Sequence, residues 1–163
     1  KEIKWERAEK LHLTLVFLGF VDEKKIPQLT LLLESIEVEQ QSLSFTIKPV
    51  LSAFPTISNP RVLWLPIEGN VTPLETIAKK LSKKLKEERF RFDTREFSAH
   101  LTLGRFRDHV KKEEKKDILE TVEKALPKGA IAFAVKGITL FESTLTQKGS
   151  VYTILHHEDF GPE

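Results

Sequence analysis

A histidine and a threonine two residues apart recur in this sequence, in His12-Leu13-Thr14-Leu15 and, 88 positions later, in His100-Leu101-Thr102-Leu103. On an extended strand, residues i and i+2 share a face, so each copy would present an imidazole and a hydroxyl on one side and two leucines on the other. A lone strand histidine is more often a packed structural residue than a reactive one. Here both copies keep His and Thr while their neighbours differ, Val16 against Gly104 and Phe17 against Arg105, which favours a shared chemical role. Two such pairs on opposite walls of one groove suit in-line displacement at phosphorus. One neutral imidazole takes a proton from the attacking oxygen and the other, protonated, gives one to the leaving oxygen, both forms being accessible because imidazole titrates near ~6.5. The threonine hydroxyls can donate to non-bridging phosphate oxygens as charge builds there. Arg105 adds a planar fork suited to phosphate, its plainer reading being a surface salt bridge. Strict alternation turns Arg105 away from His100, and a bulge at Gly104 would bring it back.

The elements that must position these groups also occur twice. At the same offset Phe45-Thr46-Ile47-Lys48 falls on Phe133-Ala134-Val135-Lys136, Val50 on Ile138, Leu31 on Leu119 and Trp64 on Tyr152. Each copy predicts a strand around its motif (11–18 and 99–106), then a helix (24–37 and 111–126), then a strand of period-2 alternation (43–51 and 131–141) and a last strand (62–67 and 151–155). In the second of these helices Ile118, Leu119, Val122 and Leu126 share one face. Between the copies a helix begins at Thr72-Pro73-Leu74-Glu75, where Thr72 can cap, Pro73 suits the first helical position and Glu75 completes a capping box. Its apolar stripe is Leu74, Ile77, Ala78, Leu81 and Leu85. The expected fold is α+β: one domain over 1–163, with two similar lobes, about 1–71 and 72–163, of antiparallel sheets and flanking helices around a central groove. Residues 54–60 and 144–149 are expected to be equivalent connecting loops.

Composition narrows the classes. A length of 163 residues fits one domain, and 40% hydrophobic with 31% charged residues excludes disordered and collagenous chains. The absence of Cys removes thiolate hydrolases, cysteine-ligated zinc and disulfide scaffolds, and makes a reducing cytoplasm the default. No run approaches the ~18 apolar residues of a membrane span, and Lys1-Glu2-Ile3-Lys4-Trp5 has no signal-peptide character, so no membrane association is expected. Met is also absent and the chain opens on a charged segment, so a natural N-terminal segment is expected to precede it. With 26 basic and 24 acidic residues the net charge of +2 selects no polyanion, and a nucleic-acid partner must be argued from the site. No His-Glu-x-x-His cluster supports a zinc hydrolase. His109 and His156-His157 are expected to be solvated. The Lys79-Lys80, Lys83-Lys84 and Lys115-Lys116 runs read as solvated helix faces before RNA-attracting ones. Phe17 is expected in the core, while Trp64 and Tyr152 are candidates for stacking on bases.

The motifs resemble those of the RNA 2′,3′-cyclic phosphodiesterases of the 2H phosphoesterase superfamily, historically called bacterial 2′-5′ RNA ligases. His12-Leu13-Thr14-Leu15-Val16-Phe17-Leu18-Gly19 resembles the family's first motif with its Phe-Leu-Gly tail, and His100-Leu101-Thr102-Leu103-Gly104-Arg105 resembles the second. Phe54-Pro55, Arg61-Val62-Leu63-Trp64, and Glu142-Ser143-Thr144-Leu145 with Gly149 and Tyr152 resemble the family's spacing. Many members carry Pro before the second His, where this chain has Ala99, a departure that does not touch the catalytic atoms. The resemblance implies opening of a terminal 2′,3′-cyclic phosphate to a 2′-phosphate, with reversible 2′-5′ ligation. It implies His12 as proton donor, His100 as proton acceptor from water, and Thr14, Thr102 and Arg105 on the phosphate. No metal and no cofactor are implied, and the expected protein is a monomer acting on RNA ends or small cyclic nucleotides. A phosphodiesterase for another cyclic or 2′-5′ linked nucleotide, and a noncatalytic RNA-binding module, stay open. A matched titrating pair weighs against the module, since binding phosphate needs cations and not paired imidazoles.

Overall fold

Residues 59–69 show how the main sheet is specified. Leu63, Leu65 and Ile67 are buried while Val62, Trp64 and Pro66 between them are only half-buried, the period-2 signature of a strand with one core face. In the computed structural model, which describes residues 1–146 and 149–161, this stretch is the central strand. The elements in chain order are β1 (Ile3–Trp5), α1 (Ile26–Glu34), β2 (Leu43–Ile47), β3 (Ser52–Thr56), β4 (Asn59–Gly69), α2 (Val71–Glu87), β5 (His100–Phe106), α3 (Lys112–Ala125), β6 (Ile131–Val135), β7 (Gly137–Thr146) and β8 (Gly149–Asp159). Short 3-10 turns stand at Ala8–Lys10 and Glu23–Lys25.

The chain divides into two compact units, each assembled from three separated stretches. The first comprises Lys1–Thr14, Phe45–Val71 and Ala99–Phe133. Its sheet runs in the order β1-β5-β4-β2-β6, with β3 also paired to β4, and the β1–β5, β5–β4, β4–β2 and β3–β4 pairs are antiparallel. One face of this sheet is the core: Leu63, fully buried, packs with Ile3, Leu51, Ala53 and Phe106, and α3 closes over them with Leu119. Ile118, Val122 and Leu126 pack beside Leu119, the helix face expected from the sequence.

The second unit takes Leu15–Ser44, Thr72–Ser98 and the stretch from Ala134 onward. In α2 the whole predicted stripe, Leu74, Ile77, Ala78, Leu81 and Leu85, is buried, and α1 buries Leu29, Leu32 and Leu33. Lys84 Nζ donates to Ser35 Oγ at 2.8 Å and Gln28 Nε2 to Glu88 Oε2 at 2.7 Å, tying the two helices at their solvated edges. The β7–β8 pair is an antiparallel hairpin. Ahead of α1, Asp22 accepts the Lys24 backbone N–H at 3.0 Å. Asp22→Ala removes this cap, and is expected to lower stability by about 0.5–1 kcal/mol, read as a lower denaturant midpoint at unchanged slope.

Several expected elements change shape. Residues 11–18 form no strand, for reasons given with the site below. The run 43–51 stops at Ile47 because Pro49 cannot donate to a ladder, and the chain turns there with Val50 N–H donating to Lys48 O at 2.8 Å. The run 131–141 breaks at Lys136. Gly137 then approaches β8 so closely that a Cβ would lie 2.5 Å from the Glu158 carbonyl. Residues 54–60 are no loop but the hairpin of β3 and β4, its turn closed by the Asn59 N–H donating to Thr56 Oγ1 at 3.2 Å. Helix α2 begins at Val71, so Thr72 lies inside the first turn rather than ahead of it. Of the loop expected over 144–149, Thr144 to Thr146 belong to β7, Gly149 opens β8, and residues 147–148 lie outside the described residues. No helix among the described residues is long and apolar enough to cross a membrane.

Candidate active site

The register of β5 on β4 decides where the second motif points. His100 lies opposite Pro66, Leu101 opposite Leu65 and Thr102 opposite Trp64, after which the pairing shifts to Gly104 opposite Leu63 and Arg105 opposite Val62. Leu103 is thus an extra residue on β5, the signature of a bulge. Cross-strand partners share a face, and Val62, Trp64 and Pro66 all lie on the face of β4 away from the core. His100, Thr102 and Arg105 therefore share that open face, whereas unbroken alternation would have sent Arg105 inward. Leu103 instead packs against the core. His100 and Thr102 are half-buried and Arg105 is exposed, a gradient suited to a reacting group with a cation at its rim.

Gly104 makes the bulge compatible with a neighbouring strand. A Cβ there would lie 2.8 Å from the Lys4 carbonyl oxygen and 3.1 Å from the Trp5 Cα, both backbone atoms of β1. Only glycine lets β1 come this close without displacement. The same pairing sets Lys4 opposite Arg105, placing a second cation on the open face. The Glu6 N–H donates to the Leu103 carbonyl at 2.8 Å, so the bulged residue keeps a backbone partner.

Aromatic rings stand beside His100. Phe54 on β3 is opposite Val62, hence also on the open face. Its ring stacks on Trp64 with centroids 4.9 Å apart and planes 18° apart. The His100 imidazole stands edge-on to both, 5.2 Å from Phe54 at 77° and 5.6 Å from Trp64 at 68°. The Trp64 Nε1 is the one buried side-chain nitrogen or oxygen without a hydrogen-bond partner among the described residues. Lys4 carries no motif that would single it out, and Phe54 enters the sequence reading only through the Phe54-Pro55 spacing; the register, a tertiary property, is what sets both on the open face.

His12 and Thr14 arrive differently. After the turn at Ala8–Lys10, closed by Leu11 N–H donating to Ala8 O at 3.2 Å, residues 11–19 run outside any ladder. Apolar alternation favours an extended chain, but a strand also needs a paired neighbour, and none of the described strands pairs with residues 11–18. His12 and Thr14 are both half-buried and belong to the same compact unit as β5. The His12 Nδ1 lies 2.7 Å from the Lys10 carbonyl oxygen. A carbonyl only accepts, so Nδ1 carries the hydrogen of this bond. Phe17 is 56% exposed, not packed in the core as expected. Its carbonyl accepts the Asp93 N–H at 2.8 Å, and hydrogen bonds from Arg95 hold the Asp93 carboxyl below its ordinary value.

The remaining candidates are accounted for elsewhere. Lys115 Nζ donates to the Pro60 carbonyl at 2.9 Å and lies over the Phe106 ring, and Lys80 Nζ donates to the Glu37 carbonyl at 3.1 Å, so parts of the lysine runs act structurally. His156 is half-buried, 3.3 Å from Glu158 and 3.8 Å from Glu34, rather than solvated. His157 meets Thr139 Oγ1 at 2.7 Å and Asp159 at 3.2 Å. Tyr152 sets its ring against Phe141 on the β7–β8 hairpin. Among the described residues no three His, Asp or Glu side chains are grouped to hold a metal ion.

A family model described as LigT like Phosphoesterase matches residues 1–64 and 65–152, one His-x-Thr motif falling in each stretch. The chain belongs to the LigT-like phosphoesterases. Two relatives in this family are the RNA 2′,3′-cyclic phosphodiesterase of Thermotoga maritima, 35% identical over 156 residues (96% of this chain, 79% of the relative), and that of Archaeoglobus fulgidus, 34% identical over 152 residues (92% and 80%). Among solved structures, TT0787 of Thermus thermophilus matches with a TM-score of 0.76 at 23% identity, covering 100% of this chain and 85% of that one. E. coli LigT complexed with 3′-AMP matches with a TM-score of 0.73 at 24% identity, covering 98% and 82%. These likenesses establish the α+β, 2H phosphoesterase-like fold expected from the repeated motifs.

Proposed function

We propose that this LigT-like phosphoesterase hydrolyses the 2′,3′-cyclic phosphate at RNA ends to a 2′-phosphate by acid–base catalysis between His12 and His100. The observation that carries the reading is the β5 bulge, which turns Arg105 onto the face of His100 and Thr102 and so gathers a base, a hydroxyl and a guanidinium on one strand. Thr102, Arg105 and Thr14 hold the non-bridging oxygens, donating as negative charge grows on them. His100 takes a proton from water as its oxygen bonds to phosphorus. The bond from phosphorus to O3′ breaks, and His12 delivers its Nε2 proton to O3′. The 2′-ester survives, leaving a 2′-phosphate and a free 3′-hydroxyl. A 5′-hydroxyl in place of water gives a 2′-5′ linkage by the same transfers. The relatives named for this reaction support the substrate class, and the reading includes a monomeric enzyme of the cytoplasm.

The test is to incubate an RNA ending in a 2′,3′-cyclic phosphate with the protein in EDTA and to map the product phosphate. Full turnover to the 2′-phosphate is expected, since no step of the scheme rests on a metal ion. Loss of turnover in EDTA with recovery on adding a divalent ion, or a 3′-phosphate product, would overturn it.

A further inference from the structure

A general base must hold one nitrogen toward the water it activates, yet the terminal torsion of histidine is a broad rotor that does not fix the ring plane by itself. In this fold two rings from neighbouring strands supply that constraint. Phe54 and Trp64 lie nearly parallel, at 18°, and His100 stands roughly perpendicular to both, with centroids at 5.2 and 5.6 Å. Edge-on aromatic pairs are favourable over separations of ~4.5–7 Å. Because the two rings are parallel, a single imidazole plane satisfies both contacts, and tilting the His100 ring out of that plane forfeits both together. The strand register secures the arrangement, since Trp64 is directly opposite Thr102 and Phe54 is opposite Val62, all on the open face. Trp64 keeps this place although its indole N–H is buried without a partner, a condition that ordinarily disfavours tryptophan.

We propose that Phe54 and Trp64 are positioning residues for His100, a stacked pair of rings that holds the imidazole plane in the orientation proton transfer requires. The proposal rests on the assignment of His100 as the base, and adds that its alignment for proton transfer depends on two side chains that exchange no proton. Aromatic character at position 54, rather than apolar bulk, is what matters.

Phe54 is 38% exposed, so its replacement leaves the core intact. The experiment compares the parent chain with Phe54→Leu and Phe54→Tyr by two readouts. In steady-state kinetics on RNA ending in a 2′,3′-cyclic phosphate, Phe54→Leu is expected to lower kcat by roughly 10–100-fold while KM stays within about twofold, and Phe54→Tyr to retain the parental kcat. In NMR spectra without substrate, the nuclear Overhauser contacts between the His100 and Trp64 rings should be strong in the parent and in Phe54→Tyr and averaged away in Phe54→Leu. Parental kcat and intact His100–Trp64 contacts in Phe54→Leu would overturn the proposal. So would a rise in KM with kcat unchanged, which would mark Phe54 as a platform for the nucleobase. Should the parent fail to open the cyclic phosphate, the assigned reaction falls, while the NMR comparison still decides whether the two rings hold His100.

Discussion

Alanine in place of His12 or of His100 is expected to lower kcat on a cyclic phosphate end by roughly 10²–10⁴-fold, the usual scale for a proton-transferring side chain, and to change RNA binding far less. The parent's kcat/KM is expected to be bell-shaped in pH. It falls on the acid side as the base becomes protonated and on the alkaline side as the acid loses its proton, and each alanine variant loses one limb. The two losses are not additive, since both groups serve a single displacement. Thr14→Ala, Thr102→Ala and Arg105→Ala lower kcat/KM but keep the bell, because they remove donors to the phosphate and not a titrating partner. Near-normal turnover in either histidine variant would contradict the scheme. The hydrogen bond from His12 Nδ1 to the Lys10 carbonyl sharpens the expectation, since it reserves Nε2 for the proton delivered to the leaving oxygen.

Gly104→Val damages both stability and turnover. A side chain at this position meets the Lys4 carbonyl oxygen at 2.8 Å, Ile3 Cγ2 at 3.0 Å and the Trp5 Cα at 3.1 Å, and two of these three are backbone atoms that cannot swing aside. Either β1 moves out or the β5 bulge is lost. The cost is about 1–3 kcal/mol of stability, the range for overpacking, and kcat/KM falls with it because the bulge is what brings Arg105 to the face of His100. A double variant with Arg105→Ala should then lose little more than Gly104→Val alone in kcat/KM. Denaturant midpoints and kcat/KM for the set check both halves of the expectation. Parental kcat/KM in Gly104→Val would separate Arg105 from the bulge and contradict the geometry drawn here.

What the sequence reveals about this protein follows the range over which each signal acts. The stripe from Leu74 to Leu85 and the face of Ile118, Leu119 and Val122 are local periodicities, and both pack inward as expected. The repeated His-x-Thr motifs carry the resemblance to the family, to which the match over residues 1–64 and 65–152 assigns the chain, because that information is in the residue types themselves. Residues 11–18 alternate well enough to suggest a strand, yet pairing is a tertiary matter and no ladder partner adjoins them among the described residues. The same alternation predicts Phe17 inside, and without that strand the ring is exposed. Pro49 and Gly137 cut two long apolar runs into separate strands, effects legible as residue preferences but not as positions of the break. A bulge at Gly104 could be named as the condition for Arg105 to share the face of His100, and the β4–β5 register shows the bulge with Leu103 as the extra residue. Lys4, Phe54 and Trp64 come to one face from three strands, a placement that no stretch of sequence contains.

The most direct test of the division of labour uses a substrate in which sulfur replaces the 3′-bridging oxygen of the cyclic phosphate. A thiolate leaves without being protonated, so the step assigned to His12 becomes unnecessary while the activation of water by His100 does not. His12→Ala should therefore recover nearly parental single-turnover rates on the sulfur substrate, and His100→Ala should remain slow on both. Rescue of His100→Ala, or equal defects of both variants on the two substrates, would contradict the assignment of acid to His12 and base to His100.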